Sequence, residues 1–358
     1  MVVLHIAKMQ NNPASGVSVV VPNHVKAQSQ YATVGLLAFA EYCPDNVDNC
    51  FVYSQDFSLE NLDAPFNKPD IVIFHQVYVT EYIKIAKQLR KKKIPYIIVP
   101  HGSLAIEAQK IKRLKKIAGN VLFGPFIRHA SAIQCLSENE LNNTKFKATK
   151  FIGTNGCVIP SKQKTSFNKD KVKFVYVGRL YCHIKGIDIM LDAFKLLMDS
   201  PYKDMCEISI YGPNYQGRHT YIEQMISERS LNEIVTLNPG VFGLEKENVL
   251  LDSDVFIQTS RSEAMPMGIL EALSYGVPCL VTEGTTLGKF IENYNAGWSA
   301  KTDAQSVFEN IIRALDEREA LNEKSNGATK LIAANFAWDK VAADHINAYR
   351  KYANLGER

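Results

Sequence analysis

The sequence lacks the features that mark several specialised classes of protein. Its seven cysteines are scattered and form no C-x-x-C pair, so neither a disulfide framework nor a zinc site is indicated. No apolar run approaches the roughly 20 residues of a membrane-spanning helix, and the start of the sequence has no basic flank or cleavage site of a signal peptide. We therefore expect a soluble globular protein of the reducing cytoplasm.

Net charge is also small, but it is unevenly distributed. The formal total is +4, and residues 1–150 contain 18 Lys and Arg against 11 Asp and Glu. The N-terminal half should therefore attract an anion at long range. We expect no nucleic-acid partner.

The length of 358 residues suits two domains of ordinary size. Short apolar runs rich in Val, Ile and aromatic residues alternate with stretches of helical period, which is typical of parallel sheets with crossover helices. We predict strands near 2–7, 71–75, 95–99, 131–136, 172–177, 206–211, 254–259 and 277–282.

The break between the domains is predicted in 153–171, where the chain is polar and has no periodic apolar face. The predicted fold class is α/β, with two Rossmann-like doubly wound lobes that face each other across a cleft. We assign 1–160 to the first lobe and 161–335 to the second. The remaining segment, 336–358, is predicted as a helix that packs back towards the first lobe.

The segment 261–280, RSEAMPMGILEALSYGVPCL, predicts a loop and a helix between two strands. Pro266 suits the first helical position and Gly276 suits the end of the helix. The helix would then begin at the carboxyl end of a parallel strand, where free backbone N–H groups favour a phosphate. Two carboxylates, Glu263 and Glu271, bracket that point and are good acceptors for sugar hydroxyls. Taken alone, they also fit ordinary solvated acids.

The segment 174–186, FVYVGRLYCHIKG, predicts a buried strand that ends at Gly178 and a loop that carries Arg179 and Lys185. Two cations on one such loop suit a diphosphate leaving group, whose charge grows as the sugar bond breaks. A pair of solvated loop residues is the alternative. The segment lacks the full pattern of a P-loop, which argues against ATP hydrolysis.

Two segments of the first lobe carry further candidates. Gly16, next to Ser15, follows the first strand and permits close approach of the backbone to a ligand, although it also fits a turn glycine. His101 follows the strand YIIVP and is placed to face the cleft, although a structural histidine would fit equally well.

The motifs together resemble those of the retaining family-4 glycosyltransferases of the GT-B fold, in particular the bacterial enzymes of O-antigen, capsule and exopolysaccharide synthesis. Glu263 to Glu271 resembles the E-x7-E signature, and GRLYCHIKG resembles the G-R-L…K-G loop of that family. PHGSL, LSENE and TNGCVIP match further segments, so the resemblance covers nearly the whole chain. One departure is Ser15-Gly16, where the family often has two adjacent glycines.

The resemblance implies roles for single residues. Glu271 would hold the ribose, Glu263 the donor sugar, and Arg179 with Lys185 the diphosphate. His101 would line the reaction centre, and Ser15 and Gly16 would belong to the acceptor-side loop. The backbone near the phosphates or the sugar would be that of Met265, Pro266, Met267 and Gly268.

The predicted reaction is transfer of a sugar, with retention of configuration, from a nucleotide sugar to a hydroxyl of a glycan. A UDP-sugar is slightly favoured, and neither a metal nor another cofactor is expected, since no Asp-x-Asp pair or cluster of His and Asp ligands is present. A nucleotide-sugar epimerase of the same fold is the alternative. A non-enzymatic binding module is disfavoured because two acids and two cations converge on one predicted site.

The last prediction concerns the membrane. Residues 109–123, QKIKRLKKIAGNVLF, have the period of a basic amphipathic helix that could lie on anionic lipid, and Lys91, Lys92 and Lys93 could add to its charge. Its partner would be the inner face of the cytoplasmic membrane, with a lipid-linked glycan as acceptor. A helix that faces the core remains the alternative. The apolar face would comprise Ile111, Leu114, Ile117, Ala118, Val121 and Leu122, and the basic side Lys112, Arg113, Lys115 and Lys116.

Overall fold

The structure, a computed structural model, describes residues 1–12, 15–110 and 113–353. It divides the chain into two compact units. The first comprises Met1–Gly156 and Trp338–Arg358, and the second comprises Cys157–Ala337. The limits therefore fall at 156 and 337, where the sequence placed them at 160 and 335.

In the described residues, the first unit is built on a seven-stranded parallel sheet. Its strands are β1 (Val2–Lys8), β2 (Thr33–Phe39), β3 (Cys50–Val52), β4 (Ile71–His75), β5 (Tyr96–Val99), β6 (Ala132–Cys135) and β7 (Lys150–Ile152). Helices within this stretch are α1 (Gly16–Gln28), α2 (Thr80–Lys91), α3 (Ile106–Lys110), α4 (Arg113–Arg128) and α5 (Glu138–Asn143). The strand order is β3-β2-β1-β4-β5-β6-β7.

The second unit has a six-stranded parallel sheet over its described residues. Its strands are β8 (Val172–Val177), β9 (Cys206–Tyr211), β10 (Val235–Asn238), β11 (Val255–Gln258), β12 (Cys279–Thr282) and β13 (Gly297–Ala300). Its helices are α6 (Cys182–Lys185), α7 (Ile187–Met198), α8 (Arg218–Glu228), α9 (Gly243–Asp252), α10 (Met267–Ser274), α11 (Gly288–Asn293), α12 (Ala304–Asp316) and α13 (Leu321–Asn335). The strand order is β10-β9-β8-β11-β12-β13.

The last helix, α14 (Trp338–Tyr352), belongs to the first unit and packs against α1. Its buried face consists of residues spaced three or four apart, as on one side of a helix. These residues are Val341, Ala342, His345, Ile346 and Tyr349.

The α/β prediction with two Rossmann-like parallel-sheet domains is confirmed. Central strands such as β4 and β11 are buried along their whole length, because helices cover both faces of a parallel sheet. All eight predicted strands are present. The sequence missed β2, β3, β7, β10 and β13, of which β3, β7, β10 and β13 lie at sheet edges.

The sequence analysis predicted no disulfide, and this prediction was wrong. Cys43 and Cys50 form one, with their Cα atoms 5.8 Å apart. The pair closes the segment between β2 and β3, which are neighbours in the sheet, so the tertiary fold brings together two cysteines that no motif connects. The other five cysteines are buried and free.

Candidate functional site

The second unit brings its predicted site residues to one point of the sheet. β8 and β11 are neighbours, and the chain continues from β8 towards one edge of the sheet and from β11 towards the other. In open α/β sheets, ligands bind outside the carboxyl ends of the strands at such a switch point, because the two following loops diverge there. The loop after β8 carries Arg179 and leads to Lys185, and the loop after β11 carries Glu263.

Gly186 allows the loops after β8 and β11 to pack closely against each other. It ends α6 with a φ of 65°, and a Cβ on it would lie 1.9 Å from the carbonyl oxygen of Thr259. Only glycine therefore fits between α6 and the end of β11. As a result Lys185 reaches Glu263, and its Nζ lies 2.5 Å from Oε1 of that carboxylate.

Glu263 is tightly held on one of its two oxygens. The Ser260 hydroxyl donates to Oε1 at 2.9 Å and the Gln258 amide at 3.2 Å, in addition to Lys185. The side chains of Lys185 and Glu263 are only 13% and 14% exposed. Three donors thus fix the carboxylate through Oε1, and Oε2, which accepts no hydrogen bond from the residues that the structure describes, could accept from the hydroxyl of a ligand.

Arg179 follows Gly178 at the end of β8 and is exposed. Its guanidinium lies 5.4 Å from the ring centre of Tyr181. In the part of the chain that the structure describes, no carboxylate lies within ion-pair distance of Arg179. An anionic ligand could therefore supply its counter-charge.

The helix at this switch point is α10, and it begins one residue later than predicted. Pro266 is not its first residue but its N-cap, with an extended backbone (φ −82°, ψ 92°), and Met267 begins the helix. Gly268 lies in the first turn, where a Cβ would come within 3.3 Å of the Val177 carbonyl oxygen at the end of β8. The first turn of α10 is therefore packed directly against the switch point, with Met265 in the loop before it.

Glu271 has a partner that the sequence analysis missed. It forms an ion pair with Lys246 of α9, and both side chains are partly exposed. No local motif marks Lys246, since it lies 25 residues away from Glu271 in sequence. Each of the two carboxylates that bracket the start of α10 is thus paired with a lysine.

In the first unit, His101 lies just after β5 with a left-handed φ of 49°. The next residue, Gly102, donates its backbone N–H to the buried carboxylate of Glu140 at 2.5 Å. Nε2 of His101 lies 3.0 Å from Nδ1 of His75, the last residue of β4. His101 is therefore a partly exposed residue that is attached to the buried sheet.

Ser15 and Gly16 lie after β1, where α1 begins at Gly16 with Ser15 as its N-cap. The Ser15 hydroxyl oxygen accepts from Ser18 at 3.0 Å. A Cβ on Gly16 would meet no atom of the described residues within 4 Å, which leaves space for a ligand on that side. Residues 13 and 14 of this loop lie outside the described residues.

The predicted helix at 109–123 corresponds to α3 and α4, with Ile111, Lys112 and the side chain of Arg113 outside the described part. Its apolar face does not pack into the core, contrary to the alternative that the sequence left open. Leu114 is 84% exposed and Val121 is 76% exposed, and Ile117 and Leu122 are exposed as well. No helix in the described ranges is long and apolar enough to cross a membrane.

A cavity of about 550 Å³ lies between α3, α4 and the segment after α5. Its lining combines apolar residues with three lysines, of which Lys116 lies 4.0 Å from the ring centre of Tyr78. The lysines are Lys110, Lys116 and Lys145, and the apolar residues include Leu104, Ile106 and Phe146.

The sequence has recognisable relatives. Residues 159–331 match the family model described as "Glycosyl transferases group 1". D-inositol 3-phosphate glycosyltransferase of Arthrobacter sp. (strain FB24) is 24% identical over 179 residues, 50% of this chain and 42% of that protein. The chain spans about half the length of the first curated relatives it matches.

Two further relatives have names that point to cell-surface polysaccharides. A Klebsiella pneumoniae protein named "Uncharacterized 41.2 kDa protein in cps region" is 22% identical over 303 residues, 80% of each chain. UDP-Gal:alpha-D-GlcNAc-diphosphoundecaprenol alpha-1,3-galactosyltransferase of Escherichia coli is 33% identical over 90 residues, 25% of this chain and 23% of that protein.

Solved structures share the fold over almost the full length. Sucrose-phosphate synthase from Thermosynechococcus elongatus has a TM-score of 0.75 at 15% identity and covers 98% of each chain. HepE from Anabaena, solved in complex with UDP and glucose, has a TM-score of 0.74 at 16% identity, over 98% of this chain and 100% of that one. At these identities the likeness shows the two-domain fold.

Proposed function

We propose that this chain, whose residues 159–331 match the glycosyl transferases group 1 family, is a retaining glycosyltransferase. It takes a sugar from a nucleotide-sugar donor, with UDP favoured, and transfers it to a hydroxyl of a lipid-linked glycan in cell-surface polysaccharide synthesis. The observation that carries the proposal is the pairing of two acids with cations at the switch point between β8 and β11.

The donor fits this switch point by its chemistry. Arg179 lies on the loop after β8 and Lys185 ends α6, which follows that loop, and a diphosphate gains negative charge as its bond to the sugar breaks. Oε2 of Glu263 is available for a sugar hydroxyl, and Glu271 is available for the ribose once its contact with Lys246 loosens. That the related HepE was crystallised with UDP and glucose supports a UDP-sugar.

The transfer itself breaks the bond between the anomeric carbon and the diphosphate oxygen and forms a bond to the acceptor oxygen on the same face. The proton of the acceptor hydroxyl passes to the departing phosphate. The protein mainly orients the partners and stabilises the leaving anion, as the residues of the second unit allow. His101 supplies a polar group of the first unit at the reaction centre.

The surface of the first unit supports the proposal of a lipid-linked acceptor. Leu114, Ile117, Val121 and Leu122 expose an apolar strip on α4, and Lys115 is exposed beside it. The adjoining cavity combines apolar walls with three lysines, which suits an amphiphile with an anionic head group. The Escherichia coli relative is named for a diphosphoundecaprenol acceptor.

The donor is tested by thermal shift with a panel of UDP- and GDP-sugars, because a ligand at 100 times its Kd stabilises by roughly 2.7 kcal/mol. The stabilising donor is then incubated alone with the protein. Slow hydrolysis of the sugar supports a transferase, whereas an epimerised nucleotide sugar supports an epimerase. Stabilisation by none of the nucleotide sugars contradicts the proposal.

The membrane part is tested by sedimentation with liposomes that contain anionic lipid, at low and high salt. We expect binding that weakens with salt and that is lost when Leu114, Val121 and Lys115 are replaced by Ser. A matched control replaces the exposed Lys169 and Lys171 of the second unit by Ser and should bind as the unaltered protein does. Absence of binding at low salt contradicts the lipid contact but not the transferase.

A further inference from the structure

Five of the eight histidines of the chain come together inside the first unit. Four of them are buried, and His101 is partly exposed. The rings of His5 and His75 stack with centroids 5.1 Å apart, and so do those of His24 and His345. Each buried imidazole needs hydrogen-bond partners, whereas an apolar side chain would fill the same space without them. The cluster is therefore not explained by packing alone.

Three of the rings form a continuous hydrogen-bonded chain that ends on a glutamine. His101 Nε2 lies 3.0 Å from His75 Nδ1, and His75 Nε2 lies 2.8 Å from His5 Nδ1. His5 Nε2 in turn lies 2.9 Å from Oε1 of Gln28. This hydrogen-bonded chain therefore runs from the partly exposed His101, just after β5, through the last residue of β4 and the middle of β1 to the last residue of α1.

The buried imidazole rings are neutral, and this fixes which ring donates and which accepts in each hydrogen bond of the series His101, His75, His5 and Gln28. Burial and the nearby His24 lower the pKa of His5 to about 3, and burial is also the main cause that lowers the pKa of His75. A neutral imidazole has one donor and one acceptor. Gln28 Oε1 can only accept, so His5 carries its proton on Nε2 and leaves Nδ1 to accept from His75.

The same reasoning applies to the next two rings, those of His75 and His101. His75 donates from Nε2, so its Nδ1 accepts from Nε2–H of His101. The Gln28 amide is held in this orientation by its own Nε2, which lies 3.3 Å from Nδ1 of His345. His345 also hydrogen-bonds to the backbone at Gly153 and Thr154, and its Nε2 lies 3.3 Å from Nε2 of Gln134, an amide that donates to the Gly153 carbonyl at 3.0 Å.

We propose that Gln28, His5 and His75 are positioning residues that hold His101 as its Nε2–H tautomer, with an unprotonated Nδ1. This inference rests on the proposed function, in which His101 lies at the reaction centre, and it assigns the ring an acceptor nitrogen for a hydroxyl of the substrate. Glu140 fixes the adjoining loop, since its carboxylate accepts from the backbone N–H of Gly102 and of Leu136.

A metal site does not account for this geometry. Nitrogens that bind one tetrahedral zinc at about 2.0–2.1 Å lie roughly 3.3 Å apart, whereas His5 Nδ1 and His75 Nε2 lie 2.8 Å apart and point at each other as a hydrogen bond requires. Within the described ranges, no group of three or more His, Cys, Asp or Glu side chains could hold a metal ion.

The tautomer can be read directly from ¹⁵N shifts of the imidazole nitrogens in protein labelled at histidine, because protonated and unprotonated nitrogens are well separated. The signals of His101 are assigned with His101→Gln. We expect the proton on Nε2 in the unaltered protein. A proton on Nδ1 instead, or equal populations of both tautomers, overturns the proposal.

Two variants test the hydrogen-bonded series of His101, His75, His5 and Gln28. Gln28→Met removes the acceptor of His5, and a buried N–H without a partner costs more than an unused lone pair, so the proton of His101 should move towards Nδ1. His75→Phe removes the acceptor of His101 and should do the same. An unchanged His101 tautomer in both folded variants contradicts the proposal.

The matched control is His24→Phe. His24 lies in the same cluster but outside the chain, with its Nε2 3.1 Å from Oδ1 of Asn155, so the His101 tautomer should not change. If Gln28→Met does not fold, Gln28→Glu keeps an acceptor for His5 and should keep the proton of His101 on Nε2. A shift to Nδ1 in Gln28→Glu contradicts the proposal.

Activity separates this inference from the proposed function. A substrate hydroxyl left without its acceptor costs a factor of roughly 5–150, so Gln28→Met and His75→Phe should lower kcat by about tenfold or more while the KM for the donor changes little. His24→Phe should keep kcat. A shifted tautomer with unchanged kcat supports the positioning chain and contradicts the role of His101, whereas lowered kcat with an unshifted tautomer contradicts the chain.

Discussion

The two units share a parallel doubly wound sheet but differ in the chemistry at their switch points. At the switch point between β8 and β11, the second unit carries lysines paired with carboxylates, and Arg179 follows β8 without a carboxylate partner among the described residues. At β1 and β4, the corresponding neighbours in the first unit, the buried polar side chains are the neutral His5 and His75, and hydrogen bonds connect them to Gln28 of α1. The backbone topology sets where a ligand can bind, and the charge of the side chains decides which ligand it is.

This difference agrees with a division of labour. A nucleoside diphosphate is an anion whose charge grows during reaction, and cations stabilise it. A hydroxyl acceptor is neutral and needs a hydrogen-bond partner of defined direction, which a neutral imidazole supplies. Variants at the two switch points should therefore fail in different ways.

The largest effect is expected at the leaving group. Arg179→Ala and Lys185→Ala should each lower kcat by about 10²–10³-fold, which is more than they lower stability, because their proposed partner is the charge of the transition state. Steady-state kinetics with and without EDTA measure this. Lys173→Ala is the matched control, since it removes a lysine of a surface ion pair from the same strand, β8. A strict need for Mg²⁺ or Mn²⁺ would contradict this role of the two cations.

His101→Ala should lower transfer by about 10- to 100-fold, because a substrate hydroxyl loses its hydrogen-bond acceptor, and it should leave the affinity for the nucleotide unchanged, because the residue belongs to the first unit. Kinetics and calorimetric titration with UDP distinguish the two quantities. If the variant keeps full activity but melts at a lower temperature, His101 is only a structural residue. If it loses affinity for UDP instead, the division of labour between the two switch points is wrong.

Glu271→Ala should weaken nucleotide binding by about 1.5–3 kcal/mol, roughly 10- to 150-fold, through loss of a charged hydrogen bond to the ribose. Calorimetric titration with UDP and GDP measures this. Glu245→Ala, a change of an exposed acid on α9, is the control. Unchanged affinity for every nucleotide removes Glu271 from the site.

The smallest expected effect is that of pH on stability, and it should differ between the cores of the first and second units. Burial lowers the pKa of His5 to about 3 and that of His24 to about 4, below the value of about 6.5 in the unfolded chain. The unfolded state therefore binds more protons at mildly acidic pH, and stability is lost as the pH falls below 6.5. Each such histidine contributes about 1.4 kcal/mol per pH unit between 6.5 and its folded pKa.

We expect hydrogen exchange to show a first unit that opens more readily at pH 5.5 than at pH 7.5. The second unit should respond less, because its two histidines, His183 and His219, lie outside its core. His24→Phe should reduce the pH dependence of the first unit by one proton. Equal protection of the first unit at both pH values would contradict the neutral state of the cluster.

Much of the fold could be read from the sequence because its signals are local. The run that forms β4 is apolar up to its last residue, His75, and that of β8 is apolar except at Lys173, as expected for strands covered on both faces. Edge strands such as β3 and β7 are short and half-buried, so they carry too few apolar residues to be recognised. The start of α10 was misplaced by one residue because Pro266 suits both the cap and the first turn.

The exposed face of α4 shows the limit of periodicity. The spacing of Leu114, Ile117, Val121 and Leu122 predicted an amphipathic helix, and the structure contains one. Spacing does not say which side faces the core, because a helix that packs and a helix that lies on a surface have the same period. The structure decided that this strip is exposed.

The sequence by itself determined the α/β class, the strands of the two sheet centres and the loops that carry Arg179, Lys185, Glu263 and His101. It did so because hydrophobic period and loop composition act over a few residues. Only the tertiary structure decided the pairing of Lys246 with Glu271 and of Cys43 with Cys50, and the histidine chain that ends on Gln28. The contact between Gln28 and His345 joins residues 317 positions apart, and such partners meet only when separate strands and helices pack into one unit.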